Sequence, residues 1–357
     1  MRLTGAEIIV KVLLEQGVDS IFGYPGGAVL NIYDALYKNS DKITHYITAH
    51  EQGAAHAADG YARATGKTGV VLATSGPGAT NLVTGIATAF MDSIPMVAIT
   101  GNVANSLIGK DSFQEVYIAG IAMPVTKQTF VVRKVEKLAF TLREAFRLAN
   151  SGRPGPVLVD IPKDVTSAVY EYEPQQPFSK KEYDCDEQHA KIAAQWINEA
   201  EKPVVYFGGG VKNAGCVQEL RELVAKANIP ATHTMMGAGV LKHDMPENLG
   251  MIGMHGCFTA NKAVDEADLV IAVGTRFSDR VALNAEKFAR RARVIHMDID
   301  CSEMDKNVEC DLHVIGDVKK ALNYMLPLVE KNLHPKWMKQ IMAWRMQDYC
   351  PVDDESV

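Results

Sequence analysis

The sequence predicts an α/β fold of two successive doubly wound parallel-sheet domains, and three observations carry that prediction. From Ser20 onward, short runs rich in Val and Ile alternate with stretches of helical period, the βαβ rhythm of a parallel sheet covered by helices. The strand-like runs GVVLAT, MVAIT, PVLVDIP, PVVYF and DLVIAVG are apolar without alternation, as expected of strands buried on both faces. The chain of 357 residues also exceeds what one hydrophobic core usually supports.

The first element, over residues 4–17, places apolar side chains at helical spacing behind Thr4. Thr4 stands at the N-cap with Glu7 three residues on, in capping-box register. Glu7, Lys11 and Glu15 break its apolar run, so it reads as neither a signal peptide nor a membrane span. DSIFGYPG, VLNIYDALY, THYIT, EQGAAHAADGYARATG, GVVLAT and MVAIT then alternate strand and helix. The amphipathic LAFTLREAFRLANS and the strand PVLVDIP complete a first domain, placed at residues 1–168. Residues 169–188 are rich in Pro and charge and lack an apolar period, the signature of a linker. A second α/β domain follows at residues 189–330, with strands PVVYF, IPATHT, DLVIAVG and RVIHMDID and a closing helix KKALNYMLPLVEK. Residues 331–357 hold one helical segment and a polar tail, read as a tether toward a further domain.

Composition bounds the function. Hydrophobic residues at 47% and charged residues at 22% exclude disordered and fibrous classes. With 37 Lys and Arg against 43 Asp and Glu the net charge is −6, which argues against a nucleic-acid partner. The six cysteines are dispersed, without a CxxC pair or zinc-ligand spacing, and read as reduced thiols of a soluble cytoplasmic protein with no membrane association.

Three Gly-rich turns follow strands of the first domain: Gly23, Pro25, Gly26 and Gly27; Ser75, Gly76, Pro77 and Gly78; and Gly101. Such turns either line the binding crevice of an open α/β sheet or serve tight packing. GPGATN lacks the Lys and Ser/Thr of a phosphate loop. Glu51 begins a helix so rich in Ala and Gly that another surface must pack closely on it. A carboxylate held there is either a proton-sharing group whose pKa burial raises or a helix N-terminal Glu satisfying the dipole. His50 and His56 lie at no metal-binding spacing and read as core or surface residues. In the second domain Gly208, Gly209 and Gly210 follow PVVYF as a nucleotide-approach turn. GMHG (Gly253 to Gly256), GTRFSDR (Gly274 to Arg280), HMDID and IGD fall at strand ends, where an open sheet binds a dinucleotide. The plainer reading of Arg276 and Arg280 is surface arginines pairing with neighbouring Asp.

Together, FGYPGGAVLNIYDAL, HEQGAAHAADGYARATGKTGVVLATSGPGATN, FMDSIPMVAITG, GKDSFQE and SGRPGPVLVDIPKDV resemble the pyrimidine-binding domain of thiamine-diphosphate enzymes. Among these the chain looks most like acetohydroxyacid synthase (acetolactate synthase) catalytic subunits, with a flavin-binding central domain following. The resemblance implies that Glu51 bonds a ring nitrogen of the cofactor's aminopyrimidine, favouring the tautomer whose exocyclic nitrogen takes the proton from the thiazolium. It implies a second catalytic residue in Gln114 and thiamine-diphosphate contacts from Tyr24, Pro25, Gly26, Gly27, Pro77, Gly78 and Asn81. The substrate pocket would be formed by Gly27, Phe113 and Gln114. It implies FAD contacts from Asp92, Arg153, Gly208, Gly209, Gly210, Asn213, Thr234, Met254, His255, Gly256, Gly274, Arg276, Arg280, Asp298, Ile299, Gly316 and Asp317, with the arginines on the diphosphate.

The implied reaction decarboxylates pyruvate and joins the two-carbon unit to pyruvate or 2-oxobutyrate, giving 2-acetolactate or 2-aceto-2-hydroxybutyrate for branched-chain amino acids. A homodimer or tetramer through the pyrimidine-binding domain follows from the same resemblance, as does a possible small regulatory subunit. Three departures stand out: Ser278 where some relatives carry an acid, NVANSLIGKDS without the family's Gln-Val-Pro, and no GDG motif with its later Asn. That motif holds Mg²⁺ and the cofactor diphosphate, so the chain reads as truncated before a C-terminal domain and inactive alone. The alternatives are a pyruvate oxidase-like flavin and thiamine enzyme or a non-catalytic FAD-binding partner subunit. Glyoxylate carboligases lack the catalytic Glu that Glu51 matches.

Overall fold

The computed structural model describes residues 1–179, 181–331 and 334–348. It divides into two compact units, Met1–Lys181 and Glu182–Val357.

The first unit contains β1 (Arg2–Thr4), β2 (Ser20–Gly23), β3 (Thr44–Ile47), β4 (Gly69–Ala73), β5 (Met96–Asn102), β6 (Gln128–Val131), β7 (Pro156–Pro162) and β8 (Val169–Glu171). Six of them form one sheet in the order β3-β2-β4-β5-β7-β6, with every neighbouring pair parallel. The unbroken apolar runs serve two cores at once, because successive side chains leave a strand on opposite faces. Val70, Leu72, Val97 and Ile99 enter one core, while Val71, Ala73, Met96 and Ala98 enter the other. Helices Gly5–Glu15 and Val135–Asn150 cover the first face, and Glu51–Thr65 and Val83–Met91 the second. Helix Gly5–Glu15 starts with the expected capping box: Thr4 Oγ1 accepts from Glu7 N at 3.3 Å, and Glu7 Oε2 accepts from Thr4 N at 2.8 Å.

The segment read as a linker begins inside this unit. Strand β8 pairs antiparallel with β1, and Tyr172 is buried with its hydroxyl donating to Glu15. Arg143 Nε donates to the same carboxylate at 3.0 Å, which explains why so charged a stretch is held. Its Pro and charge suggested solvent, but its Tyr172 and Phe178 pack on the first core.

The second unit contains β9 (Pro203–Phe207), β10 (Ala231–His233), β11 (Asn248–Met251), β12 (Leu269–Val273), β13 (Arg293–Asp298) and β14 (Leu312–Ile315). They form a parallel sheet in the order β11-β10-β9-β12-β13-β14. Val205, Phe207, Ile271 and Val273 face one core, and Val204, Tyr206, Val270 and Ala272 the other. The stretch expected as a tether contributes a helix, Pro335–Asp348, whose Trp337 and Ile341 are buried in the second of these cores. Spaced four apart, they make an apolar stripe that the polar tail masked in the sequence. Residues 349–357, with Cys350, lie outside the described residues. Among the described residues no helix is long and apolar enough to cross a membrane.

At the end of β7, Asp160 is almost fully buried, accepting from Thr100 Oγ1 at 2.7 Å and Asn102 Nδ2 at 2.5 Å. Burial pushes its carboxyl up to about 6, against the lowering effect of those two bonds. A folded value above the unfolded one means the native state holds the proton longer. Its contribution to stability is therefore complete below about pH 4 and declines as pH rises to about 6, by up to about 3 kcal/mol. Asp160→Asn should remove that part of the slope, which urea midpoints between pH 4 and 7 for both proteins will show.

Candidate functional site

In the first sheet the strand order reverses between β2 and β4, so the turns leaving these two strands diverge and open a crevice. Both turns are built on Thr74. Ala28 N donates to Thr74 Oγ1 at 3.2 Å, a Cβ on Gly26 would lie 2.5 Å from Thr74 Cβ, and one on Gly78 would lie 2.7 Å from its methyl. Glycine at 26 and 78 is thus a packing requirement around one hydroxyl residue, Thr74, which has no motif signature of its own.

Glu51 opens helix Glu51–Thr65 directly after β3 and is 8% exposed. The carboxylate is held by Asn81, whose Nδ2 donates to Oε2 at 2.9 Å. A Cβ on Gly78 would approach Oε1 to 3.2 Å, so the glycine leaves room in front of that oxygen. The close packing foreseen from the Ala-rich helix is real: a Cβ on Gly85 of helix Val83–Met91 would sit 2.4 Å from Ala55 Cβ. Burial and then the Glu51 charge push the Tyr33 hydroxyl up; its oxygen lies 3.1 Å from His45 Nε2. His50 and His56 are exposed, and His50 Nδ1 caps the helix by accepting from Gln52 N at 3.1 Å.

The loop carrying Phe113 and Gln114 arrives at the same place. Gln114 has φ 56°, and a Cβ on Gly76 would lie 2.6 Å from its carbonyl oxygen. Glu115 closes the loop on itself, accepting from Gly109 N and, at 2.9 Å, from Ser112 N, and these backbone bonds hold its carboxyl low. Phe113 is 87% exposed, and Gly27 has open space where a side chain would stand. Tyr24, Gly27 and Pro77 are exposed and Pro25 half-buried on the same turns.

Asp92 and Arg153 lie at the amino ends of β5 and β7, away from the Glu51 crevice. Asp92 accepts from Arg63 Nη2 at 2.7 Å, and Arg153 Nε donates to Ser93 Oγ at 2.8 Å.

In the second sheet the order reverses between β9 and β12, and the turns at Gly208–Gly210 and Gly274 leave these strands. Here the glycines first serve each other. Gly208 N donates to Val273 O at 3.1 Å and Gly210 N to Gly274 O at 2.9 Å, while a Cβ on Gly210 would lie 2.6 Å from Gly274 Cα. The amides of Gly208 and Gly210 are thus engaged in joining the two turns. Asn213 ends the short helix that follows, and Thr234 Oγ1 accepts from Gly237 N.

The GMHG and GTRFSDR turns meet at Met254, whose N–H donates to Arg280 O at 2.9 Å and whose sulfur lies 3.4 Å from Arg280 Nη1. His255 is exposed and Gly256 half-buried beside them. Arg276 is half-buried; Arg280 is exposed, with Asp279 at 3.9 Å, a contact of small energetic weight. Gly316 N donates to Asp298 O, the half-buried Ile299 follows, and Asp317 caps helix Val318–Met325 through Lys320 N at 3.0 Å.

Comparison with known proteins agrees with this geometry. Residues 3–123 match the N-terminal TPP binding domain of the thiamine pyrophosphate enzymes, and residues 190–325 match their central domain. The chain belongs to the thiamine pyrophosphate enzyme family. It is 51% identical over 336 residues to an acetolactate synthase of Arthrospira platensis, covering 91% of this chain and 58% of that protein. It is 46% identical over 367 residues to the acetolactate synthase isozyme 3 large subunit of Escherichia coli, covering 99% and 64%. A probable acetolactate synthase large subunit of Methanocaldococcus jannaschii is 48% identical over 349 residues, covering 95% and 59%. The chain therefore spans roughly three-fifths of the length of these relatives. In family terms Glu51 and its Asn81 brace fall inside the TPP binding domain, and the β9/β12 crevice inside the central domain.

Gly76 has φ 61° and ψ −122°, a conformation nearly closed to other residues. Gly76→Ala should cost about 1–3 kcal/mol and displace the loop against it. A lower urea midpoint together with faster hydrogen exchange over residues 103–117 is the expected result.

Proposed function

We propose that this chain supplies the pyrimidine-binding and flavin-binding domains of an acetolactate synthase catalytic subunit. In this reading it decarboxylates pyruvate and joins the two-carbon unit to pyruvate or 2-oxobutyrate, on the route to branched-chain amino acids. The observation that carries the reading is Glu51: a buried carboxylate at the reversal of strand order, braced on one oxygen and facing a glycine on the other. Bound thiamine diphosphate supplies the carbon nucleophile and the electron sink. The chain's residues supply orientation and proton control. Glu51 holds and moves a proton at the aminopyrimidine ring nitrogen, and Asn81 keeps its carboxylate in register. Gly26, Gly27, Pro77 and Gly78 shape the turns that the ring enters, and Gln114 and Phe113 border the 2-oxo acid pocket.

FAD in the β9/β12 crevice is supported by the strand order and by Arg276 and Arg280, which suit its diphosphate. Mg²⁺ belongs with the part of the relatives' length that this chain does not span. Among the described residues no group of three or more His, Cys, Asp or Glu could hold a metal. Exposed Tyr46, Ile47, Phe113, Tyr117 and Met123 on the first unit suit a homodimer or tetramer formed through that domain. Relatives in Escherichia coli are named large subunits, so a smaller regulatory chain is a further proposed partner. The described cysteines are free thiols, in keeping with a cytoplasmic setting.

In a full-length enzyme carrying this chain, Glu51→Gln should slow acetolactate formation about 10²–10⁴-fold and leave flavin binding intact. Unchanged turnover would remove Glu51 from the chemistry, and oxygen-dependent peroxide in place of acetolactate would favour the pyruvate oxidase reading. Arg276→Ala should weaken flavin binding about 10-fold or more, read from flavin absorbance retained after gel filtration.

A further inference from the structure

Side chains from three separate elements converge on the turn that leaves β12. His296 Nε2, from β13, lies 2.9 Å from the carbonyl oxygen of Thr275. Tyr206 Oη, from β9, donates to the carbonyl of Arg276 at 3.2 Å. Asn307 Nδ2, from the loop before β14, donates to the carbonyl of Phe277 at 2.8 Å. Three successive carbonyls in a stretch that is neither helix nor strand thus each receive a side-chain donor, that of Arg276 in addition to Ser278 N at 3.0 Å.

Two of the donors, Tyr206 and His296, belong to an aromatic floor. Phe277 meets His296 edge-on at 5.1 Å and Phe288 at 5.4 Å, and Tyr206 lies 5.8 Å from Phe277. Tyr206 and His296 are completely buried. Burial lowers the pKa of His296, so the imidazole is neutral with a single N–H to give, and the Thr275 carbonyl places that hydrogen on Nε2. Its other ring nitrogen is buried without a partner. An unpaired buried nitrogen destabilises the fold, a penalty that a Phe or Met in the same core would escape.

What the three donors achieve follows from the peptide unit. In a trans peptide the N–H points opposite to the C=O, and every peptide bond here is trans. Carbonyls of Thr275 and Arg276 turned toward the floor leave the N–H groups of Arg276 and Phe277 turned away from it. Two successive amides turned away from the floor can both face an anion, at the reversal of strand order and on the turn that carries Arg276 and Arg280.

We propose that Tyr206, His296 and Asn307 are positioning residues that hold the 275–277 backbone in the orientation that receives a dinucleotide diphosphate, setting its amides and arginines before the ligand arrives. This rests on the flavin reading of the β9/β12 crevice. Preorganisation of this kind is felt in affinity, because an unanchored turn must be ordered at the moment of binding.

The test is FAD titration of the whole chain, by quenching of flavin fluorescence, at a temperature where every variant is folded by circular dichroism. Tyr206→Phe removes one hydroxyl and should weaken FAD about 2–10-fold. His296→Met fills the volume without a donor and should weaken it similarly, while His296→Gln, whose terminal amide can donate from the Nε2 position, should recover most of the loss. Asn307 is exposed, so Asn307→Ala leaves the core intact and should weaken binding at least about 2-fold even if a core variant fails to fold. Equal affinity in Tyr206→Phe, His296→Met and Asn307→Ala would overturn the proposal alone. Equal losses in His296→Met and His296→Gln would reduce His296 to packing and overturn its part. A wild-type chain that binds no FAD would overturn the flavin reading together with it.

Discussion

Burial of the central strands on both faces is the constraint on which the rest of the molecule depends. Val70 to Ala73 and Leu269 to Val273 have no solvent side, so no polar group for chemistry can sit along them. Function is pushed to the carboxyl ends of the strands, and of these the reversal of strand order is where adjacent turns separate. Each unit has one such point, at β2/β4 and at β9/β12. Both are lined by glycine for the same steric reason: turns leaving neighbouring strands begin about one strand spacing apart. Gly26 and Gly78 crowd Thr74, and Gly208 and Gly210 crowd Gly274 and Thr275.

The two crevices solve the cost of buried polarity differently. The first retains a carboxylate. Glu51 stands at a helix N-terminus, where the dipole favours negative charge, and an amide donor covers one of its oxygens. Asp160, on β7, also has a hydroxyl and an amide on its two oxygens. The second crevice is underlain by neutral donors, Tyr206 and His296, that satisfy backbone carbonyls from within an apolar floor. A proton-handling site needs a titratable group held steady, whereas a site for a phosphate anion needs carbonyls withdrawn and amides and guanidiniums offered.

Much of this was legible in the sequence, and what was missed shares a cause. The capping box of Thr4 and Glu7, the Ala-rich helix seeking a close partner and the exceptional position of Glu51 all rest on contacts within a few residues or on one residue's chemistry. The Asn81 brace lies 30 residues from Glu51, and the motif assigned it to the cofactor without revealing the contact. Thr74, Glu115, Tyr206, His296 and Asn307 carry no local signature of their role. In the second domain the Gly208–Gly210 pattern suggests a nucleotide-approach turn, and the structure turns two of its amides toward the neighbouring turn. The charged stretch after Ala168 looked like a free linker because the pairing of β8 with β1 joins residues at opposite ends of the first unit.

Strand type, the presence of two parallel sheets and the family are therefore properties of the sequence itself. They are encoded in the apolar period and in dense local motifs, and these survive without knowledge of what lies opposite. Strand order, the convergence of Gly76 on Gln114 and the ties beneath residues 275–277 were decided only by tertiary structure. Each depends on which distant segment a side chain meets, and a parallel sheet, whose every pairing needs a crossover of a dozen or more residues, places those segments far apart in the chain.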